Sequence, residues 1–212
     1  MKKYLLIFLF LSLNCFAQEK VGSVKAGVFA PQATESGFIL GYESSYVVDD
    51  NFFVGWSADW FNKNYVDKKL VSEFNDFYGP IHYELNELRA KTNLHSVPLM
   101  FSVNGSWIVS PRAKAFITAS AGIEALFIFY RNYDNPDNRE IKAAFDFAWR
   151  IGTGVNYQLG FSSDVFVELV YHHSEPSWEY EVHSSETGRK KVLERKFDMS
   201  GILFRTGFRF YF

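Results

Sequence analysis

An all-β protein, folded as an eight-stranded antiparallel up-and-down transmembrane β-barrel, is what this 212-residue sequence predicts. Three observations carry that expectation. Residues alternate between apolar and polar in eight separate runs, and the connections between runs alternate between tight and long. Beyond the N-terminal stretch, no segment approaches the roughly 18 apolar residues that a membrane-crossing helix requires, so any insertion must use strands. A strand points successive side chains to opposite faces, so each run carries one apolar wall and one polar wall.

Composition narrows the class further. A 48% hydrophobic content with 19% aromatics excludes a disordered chain and suits one domain of this length. A net charge of -2 leaves no basic stripe, so no nucleic-acid partner is expected. The N-terminus has a basic start (Lys2, Lys3), an apolar stretch from Tyr4 to Leu13, and Cys15-Phe16-Ala17 as a cleavage site. Residues 1–17 therefore read as a signal peptide and 18–212 as the barrel domain. Cys15 does not sit in a lipoprotein signal, because Asn14 and Ser12 occupy positions where a small residue and leucine are wanted. Cleavage after Ala17 would leave no cysteine, hence neither a disulfide nor a thiol nucleophile.

The strands are expected at about 21–30, 37–48, 52–62, 93–109, 114–130, 143–159, 164–175 and 200–212. The run at 52–62 puts Phe52, Val54, Trp56, Ala58 and Trp60 on one face, against Gly55, Ser57 and Asp59. At 114–130, Ile117, Ala119, Ala121, Ile123, Phe127 and Phe129 oppose Thr118, Ser120, Gly122 and Glu124. At 143–159, Phe145, Phe147, Trp149 and Ile151 oppose Asp146, Arg150, Gly152 and Gly154. The connections VDDN, SPRA and GFSSD are tight, whereas 63–92, 131–142 and 176–199 are longer. Tight turns at one end and longer loops at the other are the pattern of an up-and-down barrel in a membrane.

Alternation alone leaves the direction of the apolar wall open, since a soluble barrel that carries an apolar ligand turns that wall inward. Glycines cluster on the polar wall (Gly41, Gly55, Gly122, Gly152, Gly154, Gly207), as a crowded narrow interior requires. Trp60, Phe129 and Tyr171 fall at one end of the apolar wall, and Tyr46, Trp107, Tyr157 and Phe212 at the other, as two interfacial girdles. The chain ends in RTGFRFYF, where polar Arg205, Gly207, Phe210 and terminal Phe212 hold fixed positions. This tail resembles the C-terminal signal of bacterial outer-membrane barrels, and HSVPLMF at 95–101 resembles a strand common in them. The whole barrel domain is thus similar to the small eight-stranded barrels of the OmpA/OmpX type. That resemblance implies the outer membrane of a Gram-negative bacterium, with partners in outer-membrane lipid, lipopolysaccharide and the barrel-insertion machinery.

With the apolar wall outward, charged residues must point in, because they cost roughly 2–4 kcal/mol against lipid at the midplane. The inward wall collects Lys25, Arg150, Arg205 and Arg209 against Glu43, Asp59, Glu124, Asp146 and Glu168. Buried charges need partners, and eight strands leave an interior just wide enough for side chains. The expectation is a paired polar core that closes the lumen, with Phe53, Tyr130 and Tyr211 filling more of it, and no ion path.

Enzymatic and metal readings fare poorly on the sequence. His172-x-Ser174 with Glu186 faintly resembles the lipid A deacylases, but Glu175 and Pro176 replace that family's Asn-Ala, and two-residue counting from Glu168 turns His172 and Ser174 inward. Asp134, Asn135, Asp137, Asn138 and Glu140 lack the spacing of a calcium loop, and no cofactor fingerprint occurs. The expected function is structural or an interaction at the cell surface, carried by extracellular loops, with no enzyme activity. A lipid-modifying enzyme and a soluble secreted or periplasmic carrier of an apolar ligand are the alternatives. The seventh and eighth strands are expected to run on past the membrane as a hairpin over 176–199, with Glu179 and Glu181 beside Lys190, Lys191 and Arg195, as a candidate partner surface.

Overall fold

The computed structural model describes residues 19–66, 71–73, 75–76, 90–131, 139–183 and 190–212. The expected signal peptide, most of the loop at 63–92, the acidic loop at 132–138 and the hairpin tip with Glu186 lie outside the described residues. Among the described residues ten strands are formed: β1 (Lys20–Pro31), β2 (Gly37–Asp49), β3 (Phe52–Val66), β4 (Lys91–Ser110), β5 (Ala113–Arg131), β6 (Arg139–Gln158), β7 (Ser163–His173), β8 (Ser177–His183), β9 (Lys190–Lys196) and β10 (Gly201–Tyr211). Eight of them close one antiparallel barrel in the order β1-β10-β7-β6-β5-β4-β3-β2, and β8 with β9 make a separate two-stranded sheet. Closure comes from pairing of the first and last barrel strands, from Val21 opposite Tyr211 to Pro31 opposite Gly201. A closed barrel leaves no unpaired edge, which is the condition for β-structure to cross a bilayer.

The aromatic wall faces out. Phe145 is 66% exposed, Phe101 58% and Phe204 55%, with the girdle residues Trp60, Phe129, Tyr171, Trp107 and Tyr157 also exposed. The arrangement expected of a soluble carrier, with the apolar wall inward, is therefore not the one adopted. Two inward glycines make room for specific neighbours. A Cβ on Gly41 would collide with the carboxylate of Asp59, and one on Gly207 would lie 2.7 Å from Cζ of Phe166.

Strand heights divide the barrel into two walls. β3 to β6 contain 15, 20, 19 and 20 residues, whereas β1, β2, β7 and β10 contain 12, 13, 11 and 11. The additions fall at the loop end: β4 begins at Lys91 and β6 at Arg139, earlier than the expected 93 and 143. The pairing of β3 with β4 lapses where Asp59 and Trp60 face Pro98 and Val97, since Pro98 has no N–H to offer the ladder.

The hairpin departs from expectation. Strands β7 and β10 do not run into it; the chain leaves strand geometry at 174–176 and 197–200. Two neck bonds link the departing segments, Phe197 N–H to Pro176 O at 2.9 Å and Met199 N–H to Ser174 O at 2.9 Å. Register places Glu179 opposite Glu194 and Glu181 opposite Val192, while Arg195 faces Trp178. No expected acidic–basic pair therefore lies directly opposite in register, and the side chains of Glu181, Lys190, Lys191 and Arg195 lie outside the described residues. At the hairpin base the Trp178 ring lies 4.8 Å from that of Tyr130 on β5.

Candidate functional site

The interior is where the sequence concentrates chemistry, and inward positions of every barrel strand build it. At its centre Asp59 on β3 accepts from two guanidiniums: Arg150 on β6, and Arg205 on β10 through Nη1 at 2.9 and 3.0 Å. Arg205 Nε also lies 2.6 Å from Glu168 Oε1. Glu168 is 3.4 Å from the ammonium of Lys25, which is paired to Glu43. Asn104 on β4 donates to the other oxygen of Glu43 at 3.0 Å. These groups are at most a few per cent exposed. Three cations and three carboxylates thus interlock with each charge facing an opposite one, the condition under which buried charge is tolerated.

Toward the loop end the network continues through a residue that the charge inventory left out. Arg150 Nε donates to His172 Nδ1 at 2.9 Å, and His172 Nε2 lies 2.8 Å from Glu124. A guanidinium can only donate, so Nδ1 is the acceptor and the ring proton sits on Nε2, bonded to Glu124. Ser96 completes the shell by donating to Glu124 at 2.6 Å. With Nδ1 occupied by arginine and Nε2 by glutamate, His172 has no nitrogen free to take a proton from Ser174. The signal was present in the sequence: His172 follows Glu168 at even spacing on the inward wall.

Two of the expected network members stand apart. Asp146 accepts from the backbone N–H of Glu175 at 2.6 Å, so it holds the hairpin neck instead of balancing the central arginines. Arg209 makes no ion pair among the described residues. Its guanidinium rests 5.3 to 5.7 Å from the ring centroids of Phe53, Phe116 and Phe166, a cation held by aromatic faces. Of the tail residues, Arg205 and Gly207 face the interior, while Phe210 and Phe212 face out.

The interior is polar only in part. Its loop-end portion is an apolar cluster that includes Phe29, Ile39, Phe61, Leu94, Leu126 and Leu203, closed over by Trp178, Phe197 and Met199. The expected closed polar lumen is thus apolar at its loop end. The opposite end opens into a cavity of about 660 Å³ lined by Phe53, Asn156, Asp164 and Tyr211 among others. There Tyr211 donates to Asp164 at 2.6 Å. Among the described residues no group of three or more His, Cys, Asp or Glu is placed to hold a metal ion.

These features define a class: a closed eight-stranded antiparallel barrel with an apolar outer band and a stoppered interior. Solved structures of outer-membrane proteins share the fold. OprG from Pseudomonas aeruginosa superposes with a TM-score of 0.60 at 14% identity, over 92% of this chain and 96% of its own. A major outer membrane protein from Thermus thermophilus gives 0.59 at 14% identity, over 93% and 100%. Neisserial surface protein A gives 0.56 at 12% identity, over 92% and 97%. The fold is that of the small outer-membrane barrels. No protein-family model matches the sequence, and a search of curated proteins found no match.

Proposed function

We propose that this chain resides in the outer membrane of a Gram-negative bacterium as a closed barrel with a structural or surface-interaction role. The observation that carries the reading is the pairing of a predominantly apolar outer band with an interior stoppered twice, by the Asp59-centred charge network and by the apolar cluster under Trp178. A barrel that offers lipid a full apolar belt and offers solutes no open path has its remaining surface at its two ends. The tight turns near 50–51, 111–112 and 159–162 then lie in the periplasm with both chain ends. The long loops and the β8–β9 hairpin lie outside, where a partner can reach them. The terminal strand, with Phe210 and Phe212 outward, serves as the signal to the insertion machinery.

Two measurements test this. Protease added to intact cells should cut within 63–92, 131–142 and 176–199 and spare the three turns; cutting at the turns reverses the topology. Planar-bilayer recordings of the purified protein should show no stable conductance, and a steady, reproducible current sinks the closed-lumen reading.

A further inference from the structure

The cavity at the turn end of the barrel has a floor whose chemistry is incomplete. Asn156 on β6 lines it and is 3% exposed, yet its Oδ1 has no hydrogen-bond partner. Buried acceptors are nearly always paired in folded proteins, so an orphan beside a cavity marks a place where a bound group completes the bond. Directly across the β5–β6 ladder stands Lys114, which lines the same cavity and makes no ion pair among the described residues. The buried carboxylate of this floor is already engaged, since Asp164 accepts from Tyr211 at 2.6 Å.

Behind the floor the barrel is rigid and positive. Phe116 and Phe166 meet edge to face with centroids 6.2 Å apart. Each ring lies over an inward glycine: a Cβ on Gly154 would collide with Phe116, as one on Gly207 would crowd Phe166. Phe53 is shared between the two layers, for it lines the cavity and its ring centroid lies 5.7 Å from the guanidinium of Arg209. Two cations without an ion pair, Lys114 and Arg209, therefore stand at this end beside a carboxylate that a phenol already holds. The other charged groups that line the cavity, Glu19, Asp50 and Arg112, belong to its exposed rim. At about 660 Å³ the space falls within the size range of small-molecule sites, roughly 300–1,000 Å³.

We infer that the turn-end cavity is a binding site for a small aromatic carboxylate that also carries a hydrogen-bond donor. Its carboxylate pairs with the Lys114 ammonium, a charge-assisted contact. Its ring packs against Phe53, where offset and edge-on arrangements of two rings are favourable. Its donor completes the orphaned Oδ1 of Asn156. An inorganic anion would satisfy Lys114 and leave Phe53 and Asn156 unused. An organic cation would bring like charge to Lys114 and to the field of Arg209. Because the floor is held by packed rings and not by a mobile loop, little ordering is required when the ligand enters.

The test uses the full chain in phosphatidylcholine nanodiscs, which leave both mouths open, with empty discs as the blank. Saturation-transfer NMR titrations follow para-hydroxybenzoate, benzoate and para-hydroxybenzylamine. The hydroxylated acid should bind saturably and more tightly than benzoate. The amine keeps the ring and hydroxyl but reverses the charge, and it should bind more weakly than either acid. Lys114→Gln should weaken para-hydroxybenzoate at least about tenfold, the usual contribution of a hydrogen bond to a charged group, and Lys114→Arg should restore most of it. Asn156→Leu should bring para-hydroxybenzoate down to the level of benzoate and leave benzoate unchanged. Lys63→Gln, at the loop end, should change nothing. Heat-dependent gel mobility checks that each variant is a folded barrel, and if Lys114→Gln fails that check, the comparison of acid with amine on the parent protein decides. The site is overturned if para-hydroxybenzoate does not saturate at millimolar concentration, if the amine binds as tightly as the acid, or if Lys114→Gln retains binding within about twofold. An Asn156→Leu variant that still prefers the hydroxylated acid overturns the donor contact.

Discussion

The tall and short walls of the barrel answer different demands. A tilted strand needs about 9–11 residues to cross the hydrocarbon layer, and the short wall, at 11 to 13 residues, supplies little more. The tall wall's longest strands run to 20 residues, which adds roughly 30–35 Å of strand beyond the crossing length. The short wall compensates by sending its connection, the β8–β9 hairpin, across the mouth to pack Trp178 on Tyr130 of the tall wall. On the proposed placement, membrane crossing is uniform around the barrel, while everything built above the apolar band is lopsided. The difference teaches that strand height alone does not report membrane thickness; the shorter strands do.

The largest expected effect follows from what ties the walls together inside the membrane. Asp59 belongs to the tall wall and receives one guanidinium from each wall, Arg150 and Arg205. Asp59→Ala leaves two buried cations without their shared carboxylate, which costs about 3–5 kcal/mol for a broken buried pair. Glu35→Ala removes a different bridge between the walls, to Lys63 at 3.4 Å, but Glu35 is exposed, and such pairs contribute about 0–1 kcal/mol. Urea unfolding of barrels refolded in lipid vesicles should separate the two variants clearly. Equal losses would mean that the interior network does not join the walls.

Legibility in the sequence followed the same division. Wherever one face met lipid and the other met charge, two-residue alternation located the strands to within a few residues, as in 52–62 with Trp56 and Trp60 against Ser57 and Asp59. The same counting placed Lys25, Glu43, Arg150, Glu168 and Arg205 in one interior. It was weakest near the loop end, where both faces turn apolar: Leu126-Phe127-Ile128-Phe129-Tyr130 shows no alternation because Leu126 and Ile128 fill the apolar interior while Phe129 meets lipid. The tall wall's upper ends were missed for the opposite reason. Lys91 and Arg139 lie beyond the apolar belt, so no hydrophobic period marks them. Arg209 was legible as inward, but its aromatic cradle depends on side chains from three other strands that no local pattern brings together.

A second, smaller effect is expected where the short wall leans on the tall one. Replacing 178–195 by a short turn removes Trp178 from the mouth and should leave an inserted barrel, with stability reduced by roughly 2 kcal/mol for one large apolar side chain. The upper apolar cluster would then open to water, and a solvatochromic dye that fluoresces in apolar pockets should bind the truncated barrel and not the parent. Failure of the shortened chain to insert would show that the hairpin supports the crossing itself. Unchanged surface phenotypes and binding partners would remove the hairpin from any contact role.

The smallest effect concerns the hairpin neck. Lys196 on β9 is paired with Glu175, and that hydrogen bond, with the carboxylate's charge, raises the lysine pKa above its ordinary 10.5. A raised folded-state pKa means that the contribution is fully present below the unfolded value and is lost as pH climbs through the folded one. The neck should therefore hold its geometry from neutral pH to about 10 and loosen at strongly alkaline pH. Lys196 is exposed, so the change should be local and weakened by salt. A nitroxide carried by Ser177→Cys, next to the neck, should report an immobile spectrum at neutral pH that becomes mobile in the alkaline range. With Lys196→Gln added, the spectrum should be the more mobile one at every pH. If the two spectra match at neutral pH, the Asp146–Glu175 bond and the Trp178 contact position the neck without the lysine.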